Sequence, residues 1–483
     1  MSAENPLALD GAVDALAKKT TGQAFREMFT GGARKFGMVY ALVILLVLFQ
    51  IVTGGRVLTP TNAANIIAQN AHILIMAMGM VLVIIAGHID LSVGSVMAVV
   101  GVIVAFVTRD GTVAVSGLGL PWWLGVIIGL GVGLAIGAWQ GFWVAIVGIP
   151  GFITTLAGMM VFRGIHQWIS AANGTNIAAP EELRFLTSSL PDLGRPLGLN
   201  GWTLIVGVVA ILLVLLAEWR KRVTANRLDG VPTPMLVSAI RAGVMVAVIG
   251  YATFLFGQPG PLRPDGSRGA TSFPVLGLVV IAFAAIYWFL SSKTITGRNV
   301  YAVGGNKHAA SLSGVSLKKT NFLVMMNMSL LASVAAIIFI TRNRFTGPAD
   351  GTGLELDVIA SVFIGGAAVS GGIGTVTGTV IGGLVMAVLN NGLQLMAVGA
   401  PQQQVIKGLV LLAAVAFDVF NKTQGKFSII GKLIEPFRRG GDGDSVTDPD
   451  AADEALEADP SAKALFNGVD ELTGKPITPD TAG

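Results

Sequence analysis

Charged residues are scarce in this chain, and cysteine is absent altogether. Asp, Glu, Lys and Arg make up 12% of its 483 residues, against roughly 25% in an ordinary soluble domain. Hydrophobic residues account for 53%, and their long runs leave no room for a soluble domain. The lack of cysteine excludes disulfides and thiolate metal sites. The composition therefore indicates a polytopic membrane protein.

A nucleotide-binding loop is also missing. The pattern G-x-x-x-x-G-K-[ST] occurs nowhere, and Gly474-Lys475 is followed by Pro476, which removes the required hydroxyl. We therefore expect no ATP hydrolysis by this chain, and no cofactor or metal. The formal net charge of +4 gives no reason to expect a nucleic-acid partner.

Apolar runs of suitable length predict an all-α membrane bundle of about 10–12 helices. The twelve candidate segments lie near 37–53, 72–87, 93–108, 121–147, 151–167, 202–217, 235–256, 274–290, 321–341, 356–370, 375–396 and 403–419. Segments 93–108, 151–167 and 356–370 are short for a full crossing, so some of them are candidates for re-entrant or broken helices.

Basic residues orient the bundle. Loops on the side of the N-terminus carry more than twice as many Lys and Arg residues as the opposite loops, which places both termini in the cytoplasm. We divide the chain into a cytoplasmic segment 1–36 without a signal peptide, a transmembrane domain 37–420, and an acidic, disordered tail 421–483. The polar stretch 168–201 is expected to form an external platform.

Glycines recur at every fourth residue through one span. On a helix they form a single stripe that allows close approach of a neighbouring backbone. Packing within the chain is the favoured interpretation, and a dimer interface is the alternative. The stripe consists of Gly125, Gly129, Gly133, Gly137 and Gly141.

A polar segment, 297–319, separates two apolar runs. Its core, Lys307–Leu312, suits a short helix with Asn306 as its cap and with Gly304, Gly305 and Gly314 as hinges. Such a helix, held parallel to the membrane, is typical of a docking element for a cytosolic partner.

Charges within the apolar regions are few, and no convincing pair of ionisable groups emerges at mid-membrane depth. Asp90 is expected to cap a helix beginning at Leu91–Ser92. Uncharged amides and hydroxyls are more telling, because they suit a neutral polyhydroxylated solute, although they also bond neighbouring helices. The candidate pathway residues are His88, Asp90, Phe152, Thr155, Asn390, Asn391 and Gln394.

Five blocks of the chain, in order, resemble a known family. They are GHIDLSVGS (87–95), GIPGFITTLAGMMVFRG (148–164), GRNVYAVGGNKHAASLSGVS (297–316), GLELDVIASVFIGGAAVSGGIGTVTGT (353–379) and NNGLQL (390–395). Together they are similar to the membrane permease of ribose- and xylose-type ABC importers, especially the multiple-monosaccharide subgroup.

The resemblance implies a type II-like helical fold, a homodimeric or pseudo-dimeric permease, a cytosolic ATPase and a periplasmic sugar-binding protein. The stretch from His308, Ala309 and Ala310 to Gly314 is similar to the ATPase-docking loop, although His308 replaces the usual Glu. The stretch 218–290 adds two crossings to the shorter ribose-type chains.

The expected function is therefore ATP-driven monosaccharide import. Two alternatives remain: the same machinery importing a nucleoside or another small polar solute, and an ion-coupled secondary transporter.

Overall fold

The computed structural model describes residues 33–111, 117–173, 176–191, 193–227, 235–260 and 271–422. The predicted terminal segments, 1–36 and 421–483, lie outside the described residues apart from the ends that join the first and last helices.

Helices account for nearly all regular structure in these ranges. They are α1 (Ala33–Val52), α2 (Pro60–Ile85), α3 (Val93–Thr108), α4 (Trp122–Gly141), α5 (Gly151–Asn173), α6 (Gly201–Arg227), α7 (Met235–Gly257), α8 (Val275–Lys293), α9 (Ile295–Gly305), α10 (Lys307–Leu312), α11 (Leu317–Asn343), α12 (Leu354–Ile364), α13 (Val376–Leu395) and α14 (Ala400–Lys422). A π-helical turn, Phe142–Val147, extends α4, and strands β1 (Ile177–Ala178) and β2 (Phe345–Thr346) pair antiparallel.

The structure confirms the all-α polytopic fold. Among the described residues, seven helices are long and apolar enough to cross a membrane: α2, α4 with its π-helical turn, α6, α7, α8, α11 and α13. Each of the twelve predicted segments coincides with a helix. Only α12, with 11 residues, is far too short for a full crossing. Helix α9 lies where the sequence predicts no helix, at the start of the polar segment between two apolar runs.

Helix α2 is the centre of the bundle. Pro60 opens it, at a position where the missing N–H costs nothing. Every residue from Asn70 to Ile85 is buried, as expected of a helix that is apolar on all faces. Its neighbours include α8, α11, α12 and α13.

The glycine stripe of α4 faces helices of the same chain. Gly125 and Gly129 lie against α3, whereas Gly133, Gly137 and Gly141 lie against α11. A Cβ at Gly133 would come within 1.6 Å of the Oγ of Ser333. This close approach is what the sequence pattern predicts for packing within the chain.

Helices α6 and α7 form a peripheral pair. They contact each other, and α7 also contacts α2. Large side chains on their outer faces are exposed, among them Leu213 and Val248. Helix α7 and most of α8 fall in the predicted additional stretch, 218–290.

Candidate functional site

The segment between α8 and α11 is folded by its own caps. The Oγ1 of Thr294 accepts a hydrogen bond from the Gly297 amide at 3.2 Å, which starts α9. The Oδ1 of Asn306 accepts one from the Ala309 amide at 3.0 Å, which starts α10. These bonds satisfy amides that have no partner inside the helix. The short helix and its cap therefore occur at the residues that the sequence predicts.

Helix α10 stands at the surface. Ala310 is its only buried residue, and His308 and Ala309 are exposed. The side chain of Leu312 is 91% exposed. Gly314 follows the helix with a φ of +82°, a left-handed conformation that glycine adopts without strain.

The end of α9 packs against the end of α2 and against the turn before α13. A Cβ at Gly304 would lie 1.5 Å from the carbonyl oxygen of Ile85, at the end of α2. The same oxygen accepts a hydrogen bond from the Gly372 amide at 2.8 Å, in the turn that precedes α13. The Oη of Tyr301 donates to the Gly374 carbonyl at 2.7 Å. Helix α9 therefore joins the ends of α2 and α13 at one point.

Burial raises the pKa of Tyr301 above its usual value. A tyrosine hydroxyl is protonated at physiological pH even at its usual pKa of about 10, and the shift reinforces its role as the donor in this contact. Gly305, the next hinge predicted from the sequence, is exposed and has open space where a Cβ would stand.

Asp90 braces the turn ahead of α3. Its Oδ1 accepts hydrogen bonds from the Ser92 amide at 2.8 Å and the Ser92 hydroxyl at 2.6 Å. The helix begins at Val93, so the prediction that Asp90 caps a helix starting at Leu91–Ser92 needs correction. The carboxylate bonds the residue before the helix, because an Asp side chain reaches most easily two residues along its own backbone.

Two further pathway candidates, Thr155 and His88, meet at this turn, and a third, Phe152, does not. The Oγ1 of Thr155, on α5, donates to the Ile89 carbonyl at 3.1 Å. The ring of His88 lies against Gly151, at the start of α5. Phe152 is exposed on the outer side of that helix. The turn between α2 and α3 is thus attached to α5 through named polar and close contacts.

Asn390 and Gln394 line a separate polar pocket. This cavity of 250 Å³ lies between α2, α11, α12, α13 and α14. Its polar lining consists of Gln69, Asn70, His72, Arg342, Asp357, Asn390, Gln394 and Lys407. Asn391 is not part of it, because its amide exchanges two hydrogen bonds with Asn62, at 2.8 and 3.0 Å.

A buried ion pair forms one side of this polar pocket. The Nζ of Lys407 lies 2.9 Å from the Oδ2 of Asp357, and Asp357 is 2% exposed. The Nδ2 of Asn390 donates to the same oxygen at 3.2 Å. The sequence does not predict this pairing, and the expectation that no ionisable pair lies at mid-membrane depth stays a prediction. Fifty residues separate Asp357 from Lys407, and no local sequence pattern indicates that they pair.

The polar pocket and α10 lie toward opposite ends of the bundle. Ile85, at the contact with α9, follows His72 by thirteen residues on the same helix. At 1.5 Å per residue the separation is about 20 Å. Helices α2 and α13 run between the two regions.

Two comparisons with known proteins identify relatives of this chain. Residues 62–415 match the family described as branched-chain amino acid transport system / permease component. The xylose transport system permease protein XylH of Escherichia coli is 34% identical over 407 residues, or 84% of this chain and 97% of that protein. The ribose import permease protein RbsC of the same species is 32% identical over 386 residues, or 80% of this chain and 94% of that protein.

The Bacillus subtilis ribose import permease protein RbsC is 29% identical over 393 residues, or 81% of this chain and 95% of that protein. No solved structure matches the chain significantly. The family match covers most of the described bundle, including the polar pocket and α10. This chain belongs to the family of permease components of branched-chain amino acid-type transport systems, as a multi-pass membrane protein related to the xylose and ribose permeases.

Proposed function

We propose that this chain is the membrane subunit of an ATP-driven importer of monosaccharides. A separate cytosolic ATPase drives transport, and a periplasmic binding protein delivers the sugar. Two copies of the chain form the path, with both termini in the cytoplasm. The names of the relatives, which refer to xylose transport and ribose import, support the substrate class.

The exposed helix α10 is the observation that carries this proposal. A six-residue helix is marginal by itself, and this one holds Leu312 in solvent with 91% of its surface exposed. An apolar side chain presented on a capped, anchored helix fits a protein partner. The coupling residues are Gly304, Gly305, Asn306, His308, Ala309, Ala310 and Gly314.

The contact at Gly304 links the proposed ATPase-docking helix to the helices that line the polar pocket. Movement of α10 by the ATPase shifts α9, which touches the end of α2 and the turn before α13. Those two helices carry Asn70, His72, Asn390 and Gln394 of the polar pocket. The ATPase drives this change only if it binds the two states of the gate unequally. The path itself uses His88, Asp90, Phe152, Thr155, Asn390, Asn391 and Gln394.

Two matched substitutions test the docking surface. Leu312→Glu places a charge on α10, and Leu197→Glu does the same at a residue that is 92% exposed between α5 and α6. The proposal predicts that Leu312→Glu abolishes co-purification of the ATPase and ATP-dependent xylose uptake, whereas Leu197→Glu retains the ATPase. Equal ATPase recovery with both variants would contradict the docking role of α10.

The ion pair between Asp357 and Lys407 favours one second candidate, an ion-coupled carrier, because buried ionisable groups are typical of proton and ion pathways. The purified chain alone in proteoliposomes separates the two functions. Sugar accumulation driven by a pH or sodium gradient, without ATPase, would support the carrier. Uptake of nucleosides instead of sugars in the ATP-driven assay would support an ATP-driven importer whose substrate is a nucleoside and not a monosaccharide.

A further inference from the structure

We propose that the polar pocket around Asp357 and Lys407 binds a neutral monosaccharide directly, within a single copy of the chain. The substrate class rests on the proposed function, and the site rests on the pocket itself. It would hold the sugar at the end of the bundle opposite α10, before the sugar crosses.

The ion pair of the pocket is compatible with a neutral ligand. The Asp357 carboxylate and the Lys407 ammonium neutralise each other at 2.9 Å. Arg342, half-buried at the end of α11, adds one positive charge to the lining, and its Nη1 donates to the uncharged Oδ1 of Asn343. A charged ligand beside Asp357 would have to compete with the ion pair, and burying unpaired charge is costly. A neutral ligand leaves the ion pair intact, whereas an anion would be attracted to Arg342, so the test includes an anionic sugar acid.

Three buried atoms around the pocket have no hydrogen-bond partner in the described part of the chain. They are the Oδ1 of Asp357, the Oδ1 of Asn390 and the Nδ1 of His72. Lys407 and the Asn390 amide both bind the other carboxylate oxygen of Asp357. Buried polar atoms without partners are rare and costly. All three are almost fully covered in the free chain, so a small shift of the surrounding side chains would let them form hydrogen bonds with the hydroxyl groups of a ligand.

The rest of the lining suits the two faces of a sugar ring. The amides of Gln69 and Gln394 can both donate and accept hydrogen bonds. Phe339 lines the same cavity and meets the ring of His72 edge-on, with centroids 5.2 Å apart. Planar polar groups beside an aromatic ring match the alternating hydroxyl and C–H surfaces of a monosaccharide.

The size of the pocket is compatible with a small ligand. Its cavity volume of 250 Å³ gives room for a molecule the size of one monosaccharide.

A paired substitution tests the site without leaving a charge stranded. Asp357→Leu with Lys407→Leu removes both charges, a change that buried pairs often tolerate because apolar replacements need no desolvation. The matched control is Glu355→Leu with Arg163→Leu, which removes a second ion pair, with a 3.4 Å contact, outside the polar pocket. Each protein is purified in nanodiscs without ATPase or binding protein.

Ligand-observed NMR then measures the binding of D-xylose, D-ribose and D-xylonate. The proposal predicts saturable binding of a neutral pentose to the wild-type chain and the control. Loss of several charged hydrogen bonds should weaken binding about tenfold or more in the Asp357→Leu/Lys407→Leu variant.

Three results would overturn the proposed site: no pentose binding to folded wild-type chain, equal binding by both double variants, or binding of D-xylonate alone. None of them would affect the importer function, which the Leu312 test addresses separately. Pentose binding at this site without ATP-driven uptake would overturn the importer function and leave the site intact.

Discussion

At the scale of single residues, the packing of this bundle depends on positions where a side chain has no room. Gly133 and Gly304 are the clearest cases, because an added Cβ would meet Ser333 Oγ at 1.6 Å and Ile85 O at 1.5 Å. The second contact is with backbone, which cannot move aside as a side chain can. The fourth-residue spacing predicts the first position, whereas nothing in the sequence shows that Gly304 meets α2.

The two faces of α4 provide a matched test of tight packing. Gly133→Ala is expected to lower stability by about 1–3 kcal/mol through overpacking, because the Ser329 carbonyl also lies within 2.9 Å of the new Cβ. Gly131→Ala has open space within 4 Å and should be neutral or slightly stabilising, since alanine favours helix. Thermal unfolding in detergent measures both. Equal melting temperatures would contradict the packing assigned to the stripe.

Tyr301 tests the joint between α9 and the turn before α13. Tyr301→Phe removes the donor of the 2.7 Å bond to Gly374, at an expected cost of about 1 kcal/mol. Because the joint lies on the coupling route, we expect ATP hydrolysis by the complex to continue with less sugar moved per ATP. The measurement is the number of sugar molecules taken up per ATP hydrolysed. An unchanged ratio in Tyr301→Phe would show that this hydrogen bond plays no part in coupling.

At the scale of elements, the exposed helix α10 is attached to the rest of the bundle through the end of α9, which packs against α2 and the turn before α13. The helix depends on Asn306 at its start and on Gly314 at its end, where the φ of +82° excludes most side chains without strain. A Cβ at Gly314 would meet no atom within 4 Å. The backbone conformation of Gly314, and not a lack of room for a side chain, therefore restricts substitution.

Two substitutions at Gly314 separate conformation from size. Gly314→Val should uncouple transport, because a β-branched residue is strongly disfavoured at positive φ. Gly314→Asn should retain most transport, because asparagine tolerates the left-handed region. Uptake at equal membrane levels of each variant is the measurement. Normal uptake with Gly314→Val would refute the coupling role of this end of α10.

The elements were more predictable from the sequence than the contacts between them. Apolar runs predicted a helix in each of twelve segments, seven of which are long and apolar enough to span a membrane. The cap at Asn306 predicted α10, because both features are local properties of the chain. Helix α9 escaped prediction because Gly297, Gly304 and Gly305 make its sequence resemble a loop. The partnership of Asp357 with Lys407 escaped because it depends on how α12 and α14 pack.

At the scale of the whole molecule, the polar pocket and α10 face opposite ends, and the proposed function places those ends on opposite sides of the membrane. The absence of cysteine makes this orientation simple to test. A single Leu312→Cys variant should react with an impermeant maleimide only from the cytoplasmic side, and Leu197→Cys only from outside. Reaction of both from the same side would contradict the assigned topology.

The dimer is also a property of the whole molecule. The stripe from Gly125 to Gly141 is covered by α3 and α11 of the same chain, so the proposed homodimer must use another surface. Substitutions in the stripe should therefore affect folding before they affect the association of two copies. Size-exclusion chromatography of folded Gly129→Ala protein checks this. Loss of the dimer without loss of folding would show that the glycine stripe forms the dimer interface.

The most direct test of the central claim is affinity purification of the full chain from its native membrane in mild detergent, followed by mass spectrometry. Our account predicts a co-purifying ATPase with a P-loop, together with a periplasmic protein that binds a monosaccharide. Recovery of well-folded permease with neither partner would contradict ATP-driven import and would favour the ion-coupled carrier.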